Sequence, residues 1–78
     1  MLGPALEHLV KGIVDTPDDV RVVEQNTARG EVLEVHVNPE DLGRVIGRSG
    51  RTAKALRTLV SALADGRRVR VDVVDTDA

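Results

Sequence analysis

The residues best placed to do chemistry lie near the middle of the 78-residue sequence, where Gly47 and Gly50 bracket Arg48 and Ser49. Two glycines three positions apart let the backbone turn tightly and leave amide N–H groups open to an anion. The segment that follows, from Arg51, has the pattern of a helix, and the positive end of a helix dipole attracts negative charge. This arrangement predicts a turn that binds phosphate.

Positive charge is concentrated around this turn. The stretch from position 44 to position 57 contains no acidic residue and five basic ones, which are Arg44, Arg48, Arg51, Lys54 and Arg57. The formal charge is −6 over residues 1–43, +7 over residues 44–70 and −3 over residues 71–78, so the net charge of −2 conceals a dipolar molecule. A polyanion such as a nucleic acid is the expected ligand of the positive segment.

Composition argues against several other classes of function. The sequence has no cysteine, which excludes disulfides, thiolate chemistry and cysteine-ligated metals, and it has no aromatic residue on which bases could stack. His8 falls on the polar face of a predicted helix, and His36 has no second histidine in register with it. We therefore predict no catalytic residue, no metal, no cofactor and no enzymatic activity.

Other glycine motifs do not fit the central turn. A dinucleotide-binding G-x-G-x-x-G motif ending at Gly50 requires glycine at position 45, which is Val45. A P-loop ending at Thr52 fails at the same position and has Arg51 in place of the required lysine. Both motifs also need a strand immediately before the loop, where this sequence has the pattern of a short helix.

The first half of the sequence predicts a helix and a hairpin. Residues 1–14 carry apolar residues at the three- and four-residue spacing of an amphipathic helix, namely Leu2, Leu6, Leu9, Val10, Ile13 and Val14. Residues 19–37 predict two antiparallel strands joined by a short turn that ends at Gly30. In the second strand Leu33, Val35 and Val37 share one face, which we expect to be buried.

The second half predicts a helix, the glycine turn, a second helix and a last strand. Residues 39–65 contain both helices, with Asn38 as a cap and Glu40 and Asp41 as acids that favour the positive end of the dipole. The second helix has an apolar stripe made of Ala53, Leu56, Leu59, Val60 and Leu63. Residues 68–74 alternate as a strand, and residues 75–78 are expected to form an acidic tail.

Together these elements predict one α+β domain over residues 1–78, with three helices on one face of a three-stranded sheet. Their order is helix, strand, strand, helix, turn, helix, strand. No apolar run approaches the ~18 residues of a membrane span, and the first residues lack the pattern of a signal peptide. We therefore expect a cytoplasmic protein.

The segment Val45-Ile-Gly-Arg-Ser-Gly-Arg-Thr52 resembles the Ile-Gly-x-x-Gly signature of KH domains, which are small RNA-binding modules. The predicted order of elements is that of a type II KH domain. The sequence as a whole is similar to the stand-alone bacterial KH-domain proteins of the KhpA type. This resemblance implies a mixed sheet and the role of a post-transcriptional regulator or RNA chaperone.

The resemblance also implies how the ligand is held, since KH domains clamp about four nucleotides of single-stranded nucleic acid. Phosphates would lie on the turn, with added charge from the helix. The bases would lie over an aliphatic groove formed by Val45, Ile46 and part of the second strand, including Leu33 or Val35. The implied RNA-binding residues are Val45, Ile46, Gly47, Arg48, Ser49, Gly50, Arg51 and Lys54.

A protein-interaction module is the alternative hypothesis, in which the basic turn is only a helix connector. Beside the apolar stripe of the second helix, Ala55, Leu59 and Ala62 form a shoulder small enough for close helix packing. The resemblance implies homodimers, or heterodimers with a larger KH-containing protein. Two linked RNA sites would raise the avidity of weak single domains.

Overall fold

The computed structural model describes residues 2–75, and residues 76–78 of the predicted tail lie outside this range. The helices and strands are α1 Leu2–Lys11, β1 Arg21–Thr27, β2 Gly30–Val37, α2 Leu42–Ile46, α3 Arg51–Ala64 and β3 Val69–Asp75. Short 3₁₀ segments cover Pro17–Asp19, Pro39–Asp41 and Arg48–Gly50. The predicted order of elements is confirmed.

The sheet has the order β1-β2-β3. Strand β1 pairs with β2 in antiparallel fashion, with Val22 opposite Val35, and β3 pairs with β2 in parallel fashion, with Val71 opposite Leu33. The mixed sheet implied by the resemblance is therefore confirmed. Strand β2 is central because both of its edges are paired.

The core lies between one face of the sheet and the three helices. On β2 the side chains of Leu33, Val35 and Val37 are fully buried, and they alternate with half-buried residues on the other face. This confirms the predicted orientation of β2 and places the helices on one face. The core cluster consists of Leu2, Leu6, Val10, Val14, Val20, Leu33, Val35, Val37, Val45, Leu56, Val60, Ala64 and Val71.

Helix α1 ends at Lys11, before the predicted end at residue 14. After Lys11 the chain tightens into a turn, in which the N–H of Val14 still donates to the carbonyl of Val10 at 3.2 Å. This turn directs the Val14 side chain into the core. Leu9, which the sequence placed on the apolar stripe, is 36% exposed.

The buried stripe of α3 is narrower than predicted. Leu59 and Leu63 are 40% and 53% exposed, whereas Ala64, which the prediction left out, is buried. The helix contacts β3 on one side and α1 on the other, and its outer half faces solvent. Only side chains within a narrow arc of the helix therefore reach the core.

Asp41, one of the two acids predicted at the helix start, is buried, with 2% of its surface exposed. Its carboxylate accepts hydrogen bonds from the backbone N–H groups of Asp15 at 3.2 Å and Thr16 at 3.0 Å. A buried carboxylate is tolerated because these donors replace the water that it loses. The predicted cap is confirmed, since Asn38 Oδ1 accepts from the Glu40 N–H at 2.9 Å.

Candidate nucleic-acid interface

The turn between α2 and α3 is built from left-handed backbone conformations. The φ angles are 78° at Gly47, 57° at Ser49 and 74° at Gly50. Gly47 ends α2 by donating its N–H to the carbonyl of Gly43 at 2.8 Å, and the Gly50 N–H donates to the carbonyl of Gly47 at 3.1 Å. The chain therefore reverses within four residues and enters α3 at Arg51.

The two glycines of the turn are needed for different reasons. A Cβ atom added at Gly47 would overlap the hydroxyl of Thr52 and lie 2.8 Å from its backbone nitrogen, so the start of α3 packs directly on Gly47. A Cβ atom added at Gly50 would meet no atom within 4 Å. Gly50 is thus required only for its positive φ and leaves open space beside the turn.

Two amide groups of the turn are available to an anion. Among residues 2–75, the N–H groups of Arg48 and Ser49 have no hydrogen-bond acceptor. The predicted openness of the turn therefore applies to these two groups, whereas the N–H groups of Gly47 and Gly50 are already bonded. Helix α3 has no side-chain cap at its first residue, so the positive end of its dipole faces the same space.

Three cations surround these amides. The side chains of Arg48, Arg51 and Lys54 belong to exposed residues and make no ion pair or hydrogen bond with any other part of the described chain. Unpaired surface cations keep their full charge for a ligand. The turn, the start of α3 and these three side chains form what we call the clamp, defined by residues 47–54.

The other two basic residues of the stretch already have partners. Arg44 Nη2 lies 3.0 Å from Asp15 Oδ2, and Arg57 Nε donates to the carbonyl of Val71 at 3.3 Å. Arg44 therefore ties α2 to the loop after α1, and Arg57 holds α3 against β3. Of these two, Arg44 is paired with an acid, whereas Arg57 donates to a neutral carbonyl and keeps its charge.

The predicted aliphatic groove requires a correction. Val45, Leu33 and Val35 are fully buried in the core, so their side chains present no surface on which a base could lie. They are buried because Val45 points from α2 into the core, and Leu33 and Val35 point from β2 into the core. Of the predicted groove residues, Ile46 is 38% exposed and is available beside the turn.

Sequence reasoning missed what positions the clamp. The start of α2 is held by Asp41, whose carboxylate binds the chain after α1, and by the ion pair between Arg44 and Asp15. Nothing in the sequence distinguishes Asp41 from the neighbouring Glu40, because both fit the first turn of a helix equally well. The partner of Arg44 lies far away in sequence, so spacing could not reveal it.

The described part of the chain has no group of three or more histidine, cysteine or acidic residues that could hold a metal ion. His36 is half-buried on the open face of the sheet, with its Nε2 3.4 Å from Glu34 Oε1. Between residues 2 and 75 there is also no helix with the length and apolar character needed to cross a membrane.

The mixed three-stranded sheet, with two helices joined by a glycine-bracketed turn between its second and third strands, is the arrangement of a type II KH domain. The family model described as "KhpA/KhpB, KH domain" matches residues 4–74 of the chain. The protein belongs to this family.

Curated relatives share most of their length with this chain. A protein of Leifsonia xyli named RNA-binding protein KhpA is 85% identical over 75 residues, which cover 96% of this chain and 99% of the relative. The protein of the same name from Streptomyces coelicolor is 69% identical over 77 residues, covering 99% and 96%. The one from Mycobacterium tuberculosis is 67% identical over 73 residues, covering 94% and 90%. These names describe binding and not catalysis.

Proposed function

We propose that this protein binds single-stranded RNA through the clamp and acts in the cytoplasm as a post-transcriptional regulator or RNA chaperone. The observation that carries the proposal is the pair of open amides at Arg48 and Ser49, which lie beside three unpaired cations at the uncapped start of α3. The names of the relatives support RNA as the ligand.

In this mechanism a phosphate lies on the outer side of the turn. Its oxygens accept hydrogen bonds from the N–H groups of Arg48 and Ser49, and the side chains of Arg51 and Lys54 neutralise its charge. The open space beside Gly50 lets the sugar–phosphate backbone approach closely. Phosphate contacts position the nucleic acid but carry no sequence information.

The clamp suits a single strand better than a duplex. Single-stranded RNA can turn its bases away from the backbone, which lets the bases reach apolar protein surface while the turn holds the phosphates. The exposed apolar surface next to the turn is that of Ile46, and the chain has no aromatic residue for stacking. We therefore expect a modest sequence preference.

The decisive experiment reverses the charge of the turn and keeps its glycines. In the double variant Arg48→Asp/Ser49→Asp, two carboxylates occupy the phosphate position, and we expect affinity for a single-stranded oligoribonucleotide to fall at least tenfold, which is about 1.4 kcal/mol. Both residues are exposed, so circular dichroism and Tm should change little. Fluorescence anisotropy measures the binding.

A matched control places the same charge change on exposed residues of β1, in the double variant Arg21→Asp/Gln25→Asp. This control should keep most of its affinity, because β1 forms the edge of the sheet opposite β3 and has no extensive contact with α3 or the turn. If the turn variant is folded and binds RNA as well as the wild type does, the turn is only a connector. If it does not fold, Lys54→Glu on the exposed side of α3 provides the same test.

We further propose that the protein forms homodimers through an apolar surface on α1 and α3. Gly3 of α1 packs on Glu24 of β1, and Arg57 of α3 packs on β3. From the helical spacing, Leu9 lies on the flank of α1 away from Gly3, and Leu59 and Leu63 lie on the flank of α3 away from Arg57. These side chains are 36%, 40% and 53% exposed. A second copy would cover them, and a larger KH-containing protein is the alternative partner.

A further inference from the structure

A second group of arginines surrounds a cavity far from the clamp. The cavity, of about 680 Å³, lies where the β1–β2 turn meets the connection between α3 and β3. Its lining includes four arginines and one acidic residue, which are Arg29, Arg67, Arg68, Arg70 and Glu31. We call this site the arginine cleft. It accounts for basic residues that the clamp does not use.

Close backbone contact holds the two sides of the arginine cleft together. The N–H of Glu31 donates to the carbonyl of Arg68 at 2.9 Å. A Cβ atom added at Gly30 would lie 2.6 Å from the same carbonyl oxygen, so only glycine permits this approach. The hydroxyl of Thr27 donates to the carbonyl of Gly30 at 2.8 Å and fixes the turn. The cleft is therefore a built feature of the fold.

Two of the four guanidinium groups have acidic partners. Arg67 Nη1 lies 3.0 Å from Glu31 Oε1, and Arg70 Nε lies 3.0 Å from Asp72 Oδ1. Arg29 and Arg68 are exposed and make no side-chain ion pair or hydrogen bond within residues 2–75. The only acid in the lining is thus already neutralised, while two arginines keep their charge for a ligand.

One flank of α3 connects the clamp to the arginine cleft. Lys54, Arg57 and Ser61 follow one another at three- and four-residue spacing, so they lie on one side of the helix. Arg57 bonds to the carbonyl of Val71, which places this side along β3, and Ser61 lines the cleft. Helix α3 has 14 residues and is therefore roughly 21 Å long. The phosphates of an RNA chain can lie along this side of the helix, whereas a small anion would occupy only one end of it.

The chemistry of the arginine cleft also suits bases. Val32 and Val69 line it together with the arginines and provide apolar surface. The planar guanidinium of arginine can stack on a base, as aromatic side chains do in many RNA-binding proteins. This chain has no aromatic residue, so its arginines are the side chains that can provide such stacking. An acidic protein segment would satisfy the charges but would make no use of flat stacking surfaces.

We propose that the arginine cleft binds phosphates and bases of the same single-stranded RNA that the clamp holds, and so extends the bound stretch along α3. This inference rests on the proposed function. It predicts that an RNA longer than the ~4 nucleotides of a KH footprint gains affinity from the cleft.

Nuclear magnetic resonance of the ¹⁵N-labelled wild-type protein tests the inference directly. An oligoribonucleotide of about four nucleotides should shift amide signals of the clamp and its neighbour Ile46 and leave those of Gly30 and Arg68 unchanged, whereas one of about twice that length should also shift the signals of Gly30 and Arg68. The longer RNA should bind about tenfold more tightly. If it shifts only the clamp signals, the extension is wrong while the clamp stands; if neither RNA shifts the clamp signals, both proposals fail.

The double variant Arg29→Gln/Arg68→Gln provides the second test. It should bind the short RNA like the wild type and lose the tenfold gain for the longer RNA. For the longer RNA, the slope of log K against log salt should be shallower by about 1.4 in this variant, because two phosphate contacts at ~0.7 each are removed. The matched control Lys11→Gln/Arg21→Gln, on exposed residues elsewhere, should keep the gain. Unchanged binding of the longer RNA by the cleft variant overturns the proposal, as does a poly-glutamate peptide that shifts the cleft signals when RNA does not.

Discussion

The carboxylate of Asp41, at the start of α2, accepts a hydrogen bond from the backbone N–H of Thr16 at 3.0 Å. This contact joins the loop after α1 to the element that leads into the clamp. Helix α2 has five residues, and a helix of that length has little stability of its own. Its position, and with it the position of the Gly47–Gly50 turn, therefore depends on tertiary contacts such as this one.

The first prediction follows from that contact. The Asp41→Ala variant removes a buried carboxylate and leaves the partly buried N–H groups of Asp15 and Thr16 without their acceptor, and we expect the free energy of unfolding to fall by about 2 kcal/mol. In a chain of this size the Tm should fall by roughly 10 °C. Urea denaturation and calorimetry measure both quantities.

Asp18→Ala, at an exposed aspartate whose side chain has no partner in the described chain, is the control and should change stability by less than ~0.5 kcal/mol. Equal losses in the two variants would show that the Asp41 contacts do not stabilise the fold.

The second prediction distinguishes the roles of Gly47 and Gly50 in stability and in RNA binding. In Gly47→Ala the new methyl group collides with Thr52, so both the stability of the fold and the affinity for RNA should fall. In Gly50→Ala there is no collision, and the cost is that of a positive φ at an alanine, about 1 kcal/mol. RNA affinity should nevertheless fall, because the methyl group occupies the space through which the phosphate approaches.

Thermal unfolding and anisotropy measured on the same samples distinguish these outcomes. Gly66→Ala is a suitable control for Gly50→Ala, because Gly66 also has a positive φ and open surroundings but lies at the other end of α3. It should lose similar stability and keep the affinity for a short RNA. A Gly50→Ala protein that binds as well as Gly66→Ala would argue against phosphate contact at Gly50.

The third prediction concerns salt. Arg48, Arg51 and Lys54 are the unpaired cations of the clamp, and three phosphate contacts on a single strand give a slope of log K against log salt of about −2. Lys54→Gln should reduce the slope by about 0.7. Titrations of a short single-stranded RNA at several salt concentrations test this. A flat response, or tighter binding to a duplex of the same sequence, would contradict the clamp.

The fold was largely predictable because its signals are local. Alternation in β2, the cap at Asn38 and the glycines of the turn each act over a few residues, and the structure agrees with all of them. The parallel pairing of β3 with β2 came from the resemblance, because two strands far apart in sequence carry no sign of their relative direction.

The candidate site was less predictable because its properties depend on contacts between distant residues. The sequence shows five cations near the turn, but the pairing of Arg44 with Asp15 becomes visible only when α2 is placed beside the loop after α1. The resemblance placed Val45 in the groove, whereas its side chain points from α2 into the core and is fully buried. Ile46, the next residue, remains partly exposed.

The last prediction concerns self-association through α1 and α3. An aspartate at the centre of an apolar interface would be buried without a partner, which is costly, so Leu63→Asp and Ala62→Asp should each convert dimers to monomers. Both positions are exposed in the single chain. At Ala62 the cost to the fold should be limited to helix propensity, roughly 0.7 kcal/mol, whereas Leu63→Asp also loses the contacts of the covered part of a side chain that is 53% exposed. Ala28→Asp, at an exposed alanine in the β1–β2 turn, adds the same charge away from this surface and should remain dimeric. Sedimentation velocity over a range of protein concentrations measures the outcome without RNA. A wild-type protein that stays monomeric at the highest concentration, or a Leu63→Asp protein that sediments like the wild type, would show that the apolar surface of α1 and α3 does not join two copies of this chain.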